Sequence, residues 1–281
     1  MSVAAPPPAP ATGRAGRNLP VAIGVGLGMG AAVLVPLYTV KSLFIGVLVA
    51  AIATGLWELD RVLRARGLRP PFVPLLIGAV STIVLAYLRG TDALAVAALL
   101  TALAVVLWRL GDGGPGFVPD VSAALFELAY VPVLAAFAAL LLVPADGSRR
   151  VTVFIATVVC SDVGGYAAGV VAGRHPMAPS ISPKKSWEGF AGSALACAVA
   201  GVLFLPLLLH GTWWQGVVYG LAVVVSATVG DLGESMVKRD LGIKDMGSVL
   251  PGHGGLMDRL DSLLPTAPVA YLVLSAFVPP H

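Results

Sequence analysis

The chain has 281 residues, 57% of them hydrophobic and 12% charged, and a net charge of +3. A soluble domain carries about 25% charged residues, so this composition excludes a water-soluble globular enzyme and points to a polytopic membrane protein. The small positive balance identifies no partner by itself, and no nucleic-acid partner is expected; the distribution of charge along the chain is more informative.

Residues 1–18 are rich in Ala and Pro around Arg14 and Arg17. They cannot bury a core and are expected to form a disordered cytoplasmic tail. The apolar run that follows has no clear cleavage site, which favours an uncleaved anchor over a signal peptide. Nine apolar runs then succeed one another at 20–40, 42–60, 71–88, 92–109, 121–144, 150–172, 189–209, 213–234 and 258–278. Each is close to the roughly 20 residues that span a bilayer as a helix. The expected fold is therefore all-α, a polytopic integral membrane bundle of about nine transmembrane helices. Gly24, Gly26, Gly28 and Gly30 in the first run lack the strand that a dinucleotide loop requires; they read as small residues that let membrane helices approach. Cys160 and Cys197 both lie in apolar runs and read as buried small hydrophobes.

Basic residues sort by side. With the N-terminus inside, the cytoplasmic segments hold Arg14, Arg17, Arg61, Arg64, Arg66, Arg69, Arg109, Arg174, Lys184, Lys185, Lys238, Arg239, Lys244 and Arg259. The outer segments hold Lys41, Arg89, Arg149 and Arg150. Basic residues favour the cytoplasmic side of membrane proteins, so this asymmetry predicts N-in, C-out.

Three stretches carry polar residues that packing does not explain. Trp57-Glu58-Leu59-Asp60-Arg61 through Arg69 ends the second run and reads as an interfacial belt with a basic loop. Glu127 and Tyr130 fall inside a span, where an ionisable group is costly and functional by default. In the second stretch, Asp162 stands among glycines in the sixth run, and Ser182-Pro183-Lys184-Lys185-Ser186-Trp187-Glu188-Gly189 places two lysines before the next helix. Ser182 or Ser186 could cap that helix, and the lysines suit phosphate. Juxtamembrane lysines that only fix topology are the plainer alternative.

The third stretch, Asp231 to Asp261, is the densest in charge. Asp231, Glu234, Ser235 and Lys238 stand at i, i+3, i+4 and i+7 and are expected on one helical face. Pro251-Gly252-His253-Gly254-Gly255 forms a loop that opens onto a helix holding Asp258 and Asp261. Free N–H groups at a helix start suit an anion, and carboxylates suit a hard cation. Cation, phosphate and base could meet here, as phosphoryl or nucleotidyl transfer requires. One His between glycines supports no zinc site.

From Ser235 to Asp261 the sequence, with Lys238-Arg239, Lys244-Asp245, Gly247, Leu250-Pro251, His253-Gly254-Gly255-Leu256 and Asp258-Arg259-Leu260-Asp261, resembles position for position the signature of the phosphatidate cytidylyltransferases, the CDP-diacylglycerol synthases. The segment Ser182–Gly189, the surroundings of Asp162 and an early Glu…Arg region near Glu58 resemble further parts of that family. The resemblance covers about residues 50–270. It implies transfer of CMP from CTP to phosphatidate with release of pyrophosphate, at a site on the cytoplasmic side of the inner membrane, for phospholipid biosynthesis. It implies Mg²⁺, with K⁺ as a candidate companion, and membrane lipid around the site; a homodimer is compatible with it. Asp231, Asp258, Asp261 and Glu234 are the candidate metal ligands. Asp231, Asp258, Lys238, Arg239 and His253 are the candidate catalytic residues. Asp162, Ser182, Lys184, Lys185, Ser235, Gly254, Gly255 and Arg259 are the candidate substrate contacts. The expected organisation is a tail (1–18), N-terminal transmembrane helices (19–145) and a C-terminal catalytic region (146–281). Two other classes fit less well: a related CTP-dependent polyprenol kinase or archaeol cytidylyltransferase, and a secondary transporter. A transporter should show repeat symmetry, whereas the charged motifs here gather in the C-terminal half.

Overall fold

The computed structural model describes residues 19–249 and 254–279. They form α1 (Leu19–Thr39), α2 (Lys41–Ala65), α3 (Phe72–Arg89), α4 (Thr91–Gly111), α5 (Phe117–Leu128), α6 (Leu134–Leu142), α7 (Gly147–Ala172), α8 (Trp187–Leu209), α9 (Trp213–Asp240), α10 (Met257–Leu260) and α11 (Leu263–Phe277). A short antiparallel hairpin, β1 (Pro176–Ala178) and β2 (Ser182–Ser186), joins α7 to α8. The protein is an all-α polytopic membrane bundle, as expected. Among the described residues, eight helical segments are long and apolar enough to cross a bilayer, and α1 contributes the shorter apolar stretch Gly26–Thr39.

The expected spans reappear with shifted ends. The fifth, Phe117–Leu142, is α5 and α6 joined through a π-helical turn at Ala129–Val133. Pro132 lies in that turn and has no N–H to continue the ladder. The eighth runs to Asp240, so Asp231 lies well inside α9 rather than at its end. Lys238 and Arg239 occupy the last turn of α9, where positive charge offsets the helix dipole.

Helices in lipid gain little from burying apolar surface, so close backbone approach has to hold them together. The glycines show where this happens. A Cβ on Gly164 of α7 would stand 2.8 Å from the Gly192 carbonyl of α8, and one on Gly192 would stand 2.7 Å from the Gly164 carbonyl. Gly201 of α8 and Gly216 of α9 meet in the same way, at 2.0 and 2.3 Å from each other's carbonyl oxygens. A Cβ on Gly230 would lie 2.5 Å from the Asp261 carbonyl, so α9 runs hard against the α10–α11 junction. These contacts make α7, α8, α9 and α11 one tightly packed group.

The loops sort to two ends of the bundle. At one, Lys41 Nζ reaches the carbonyls of Leu142 and Pro144, Arg150 Nη2 donates to Val278 O at 2.7 Å, and Gln215 Nε2 donates to Phe277 O at 3.1 Å. At the other, the α2–α3 loop meets Asp120 through Arg69 N–H at 2.7 Å, and Arg66 reaches Leu241 O at the end of α9. The hairpin and the loop before α10 share this second end.

Candidate active site

A cleft of about 440 Å³ opens at the second end, walled by α7, the hairpin, α8, α9 and the α10–α11 junction. Asp162, Lys184, Lys185, Asp231, Asp258, Arg259 and Asp261 all line it. These residues come from four separate stretches of sequence.

The α7–α8 crossing sets one wall. Because Gly165 has no Cβ, Ser193 Oγ can approach to 2.3 Å of where one would be. Ser193 Oγ donates to Ser161 O at 2.7 Å, fixing the register beside Asp162. The hairpin brings the lysines over this wall. Its base is tied by Glu188, which accepts the N–H groups of Arg174 and His175 at 3.1 and 3.2 Å and meets His175 Nδ1 at 2.5 Å. Its tip is tied by Arg239 Nε, which donates to Ile181 O at 3.2 Å. Ser186 is extended and caps α8, accepting Gly189 N–H at 3.1 Å. Ser182 opens β2 and caps nothing, which settles that choice between the two serines.

Lys185 Nζ forms an ion pair with Asp231 Oδ2 across the cleft. On α9 the expected single polar face divides. Asp231 faces the cleft, and Ser235 Oγ, behind it, comes within 3.5 Å of Asp231 Oδ1. Glu234 is fully buried and pairs with Lys238 at 2.5 Å, and neither of its oxygens accepts a well-directed hydrogen bond. Lys238 Nζ also reaches Asp258 Oδ1 at 2.9 Å. Thus Glu234, Ser235, Lys238, Arg239 and Ser182 do not line the cleft, although Lys238 and Arg239 brace the elements that do.

Asp258 organises the loop that precedes it. Its Oδ2 accepts Gly255 N–H at 2.8 Å, and both oxygens lie 3.1 Å from Met246 N. Gly254 has φ +84°, a conformation that favours glycine, and a Cβ there would stand 3.2 Å from Asp258 Oδ2. Gly254 and Gly255 therefore shape the loop around a carboxylate. His253 lies outside the described residues. Asp261 accepts Ser262 N–H at 2.6 Å through Oδ1 and faces the cleft beside Asp231, where the absence of a Gly230 side chain lets α9 come close.

Glu58 was not among the expected site residues. It is 1% exposed, and its Oε2 accepts Met257 N–H at 2.8 Å. Its local sequence reads as an interfacial belt; its partner lies 199 positions away, beyond any local pattern.

The chemistry of the cleft is that of an anion site with hard oxygen donors. Lys184, Lys185 and Arg259 supply positive charge, while Asp162, Asp231 and Asp261 supply carboxylates from α7, α9 and the α10–α11 junction. Among the described residues no group of three or more His, Cys, Asp or Glu converges to cage a metal ion. A Mg²⁺ that takes one or two carboxylates and completes its shell with phosphate and water fits such walls; a dedicated protein cage does not.

Comparison with known proteins finds relatives over nearly the whole chain. Residues 20–277 match the model of the cytidylyltransferase family. A Mycobacterium leprae protein named phosphatidate cytidylyltransferase is 44% identical over 280 residues, covering 94% of this chain and 90% of that protein. One of the same name from Mycobacterium bovis is 43% identical, covering 95% and 92%. Another, from Brucella suis, is 35% identical over 181 residues, 63% of each chain.

Proposed function

The chain belongs to the cytidylyltransferase family, and we propose that it joins CTP to phosphatidate, giving CDP-diacylglycerol and pyrophosphate, in the cleft between the hairpin and α9. The observation that carries this reading is the ion pair from Lys185 of the hairpin to Asp231 of α9. It sets an ammonium suited to phosphate beside a carboxylate suited to a hard cation at one end of the bundle.

A phosphate oxygen of phosphatidate attacks the α-phosphorus of CTP. The bond from that phosphorus to the bridging oxygen of the β-phosphate breaks, and pyrophosphate leaves with the electron pair. The lipid phosphate is itself the nucleophile, so no side chain need form a covalent intermediate, and catalysis rests on positioning and charge neutralisation. Lys184, Lys185 and Arg259 bind the phosphates. In the absence of substrate Lys185 neutralises Asp231; when phosphates enter, Lys185 turns to them and leaves that carboxylate open on the cleft wall. Asp231 and Asp261 are the residues that would hold Mg²⁺, with Asp162 opposite. When bound, the cation neutralises charge on the phosphates and on departing pyrophosphate. Asp258 holds the loop rather than the cation, since its oxygens already receive two N–H groups and an ammonium. Lys238 keeps buried Glu234 and Asp258 compensated. The acyl chains stay in the bilayer beside the exposed faces of α7 and α8.

The cleft end faces the cytoplasm of a bacterial cell, at the plasma membrane, where CTP is available. The basic residues of both the hairpin and the α9 end lie at this end, as the positive-inside rule requires. The test is incubation of the purified protein with labelled CTP, Mg²⁺ and a panel of acceptors: phosphatidate, polyprenol and an archaeol phosphate. Labelled CDP-lipid is expected with phosphatidate. A folded protein that labels only another acceptor overturns the assignment.

A further inference from the structure

Glu58 belongs to α2, yet its carboxylate is built into the loop that leads to the cleft. Its Oε2 accepts Met257 N–H at 2.8 Å. A Cβ on Gly255 would fall 2.8 and 2.9 Å from the two Glu58 oxygens, and one on Gly247 would fall 2.1 Å from Oε1. Both ends of the loop are therefore pressed flush against one carboxylate that is 1% exposed. The adjacent amides, those of Met246 and Gly255, go to Asp258. The loop is clasped between two carboxylates, one at its own end and one from the N-terminal half of the chain. Burying a carboxylate is costly unless it is paired and hydrogen-bonded. Among the described residues no cation pairs with Glu58, and its Oε1 has no partner. An apolar side chain would pack α2 at less cost, so the carboxylate's contribution lies in the loop it holds.

We propose that Glu58 is a positioning residue for the transfer reaction: it latches the loop through Met257 N–H and so sets Asp258 and Arg259, the next two residues, on the cleft wall. The inference rests on the proposed function for its kinetic part and on geometry alone for its structural part.

The test uses the full chain in detergent with phosphatidate, CTP and Mg²⁺. It compares Glu58→Ala, Glu58→Gln, Gly247→Ala and the double variant Glu58→Ala/Gly247→Ala. Losing one hydrogen bond to a charged acceptor predicts a fall in kcat of about 10- to 100-fold for Glu58→Ala, with KM for phosphatidate within about twofold. Glu58→Gln keeps a neutral acceptor and should retain more turnover. Hydrogen exchange should quicken at residues 245–249 and 254–257 and stay unchanged in α7 and α8. Gly247→Ala should be severe alone and milder beside Glu58→Ala, because the smaller side chain frees the space its Cβ needs. Wild-type kcat and exchange in Glu58→Ala would overturn the latch. Exchange quickened throughout the bundle with a lowered Tm, or additive effects of Glu58→Ala and Gly247→Ala, would equally overturn it. Wild-type protein inactive on these substrates would instead refute the proposed reaction, while the exchange data would still decide the latch.

Discussion

Asp231 and Asp258 border the same cleft but have different local tasks. Asp231 is part-exposed and pairs with one ammonium, that of Lys185. Asp258 is 7% exposed and accepts two backbone N–H groups besides Lys238. Asp231→Asn should therefore lower Mg²⁺-dependent turnover by more than about 100-fold, as losing a transition-state interaction with a charge allows, with an unchanged Tm. Asp258→Asn should also lose turnover, but with stability reduced by about 1–3 kcal/mol, because an amide cannot accept all three donors. Thermal melting and CDP-lipid formation on the two variants check this; equal Tm losses would contradict it. Asp240→Asn, in the final turn of α9 and not lining the cleft, should be tolerated in both assays. The sequence makes Asp231, Asp258, Asp261 and the lysine pair legible, because charge among apolar runs is conspicuous. It does not show that Glu234 turns inward: at a spacing of three, Asp231 and Glu234 stay within one broad face, and only the tertiary packing around α9 leaves one part-exposed and the other buried. Glu58 stands out in the sequence as part of a polar belt and of the family resemblance, but its tie to the loop does not, since its hydrogen-bond partner Met257 lies 199 positions along the chain.

Among the elements, the α8–α9 contact is where backbone proximity bears most on stability. A methyl group on Gly201 would stand 2.0 Å from the Gly216 carbonyl, backbone that cannot swing aside. Gly201→Ala should cost about 1–3 kcal/mol, the usual range for overpacking, and lower the Tm in detergent. Gly46→Ala, with nothing within 4 Å of its Cβ, should leave the Tm unchanged or raise it, since Ala is the better helix former by roughly 0.5–1 kcal/mol. Equal responses at the two sites would contradict the packing account. The long helices were legible from hydropathy because a bilayer fixes their length. The hairpin was not: Pro-Met-Ala and Ser-Pro-Lys-Lys-Ser do not alternate apolar with polar, and backbone ties to Glu188, Arg239 and each other hold it in place of side-chain burial. The π-helical turn at Ala129–Val133 likewise leaves no hydropathy signature, although Pro132 marks its place.

Across the whole molecule, the two ends of the bundle differ in charge, and the proposed reaction requires the cleft end to face the cytoplasm. An alkaline phosphatase reporter, active only outside, should be silent when fused after residue 245 and active after residue 281; the reverse pattern would overturn the orientation. The proposed division into N-terminal helices and a C-terminal catalytic region has a functional consequence of the same kind: the C-terminal region lines the cleft, while α2 reaches across to its loop through Glu58. The central claim is that the nucleotide's α-phosphorus, with its cytidine, passes to the lipid. CTP labelled at the α-phosphorus and CTP labelled at the γ-phosphorus separate this from kinase chemistry in one assay. With phosphatidate and Mg²⁺, α-label is expected in the lipid product and γ-label in pyrophosphate alone. Label from the γ-position in the lipid, or α-label in neither lipid nor any CDP-linked product of the folded protein, would contradict it.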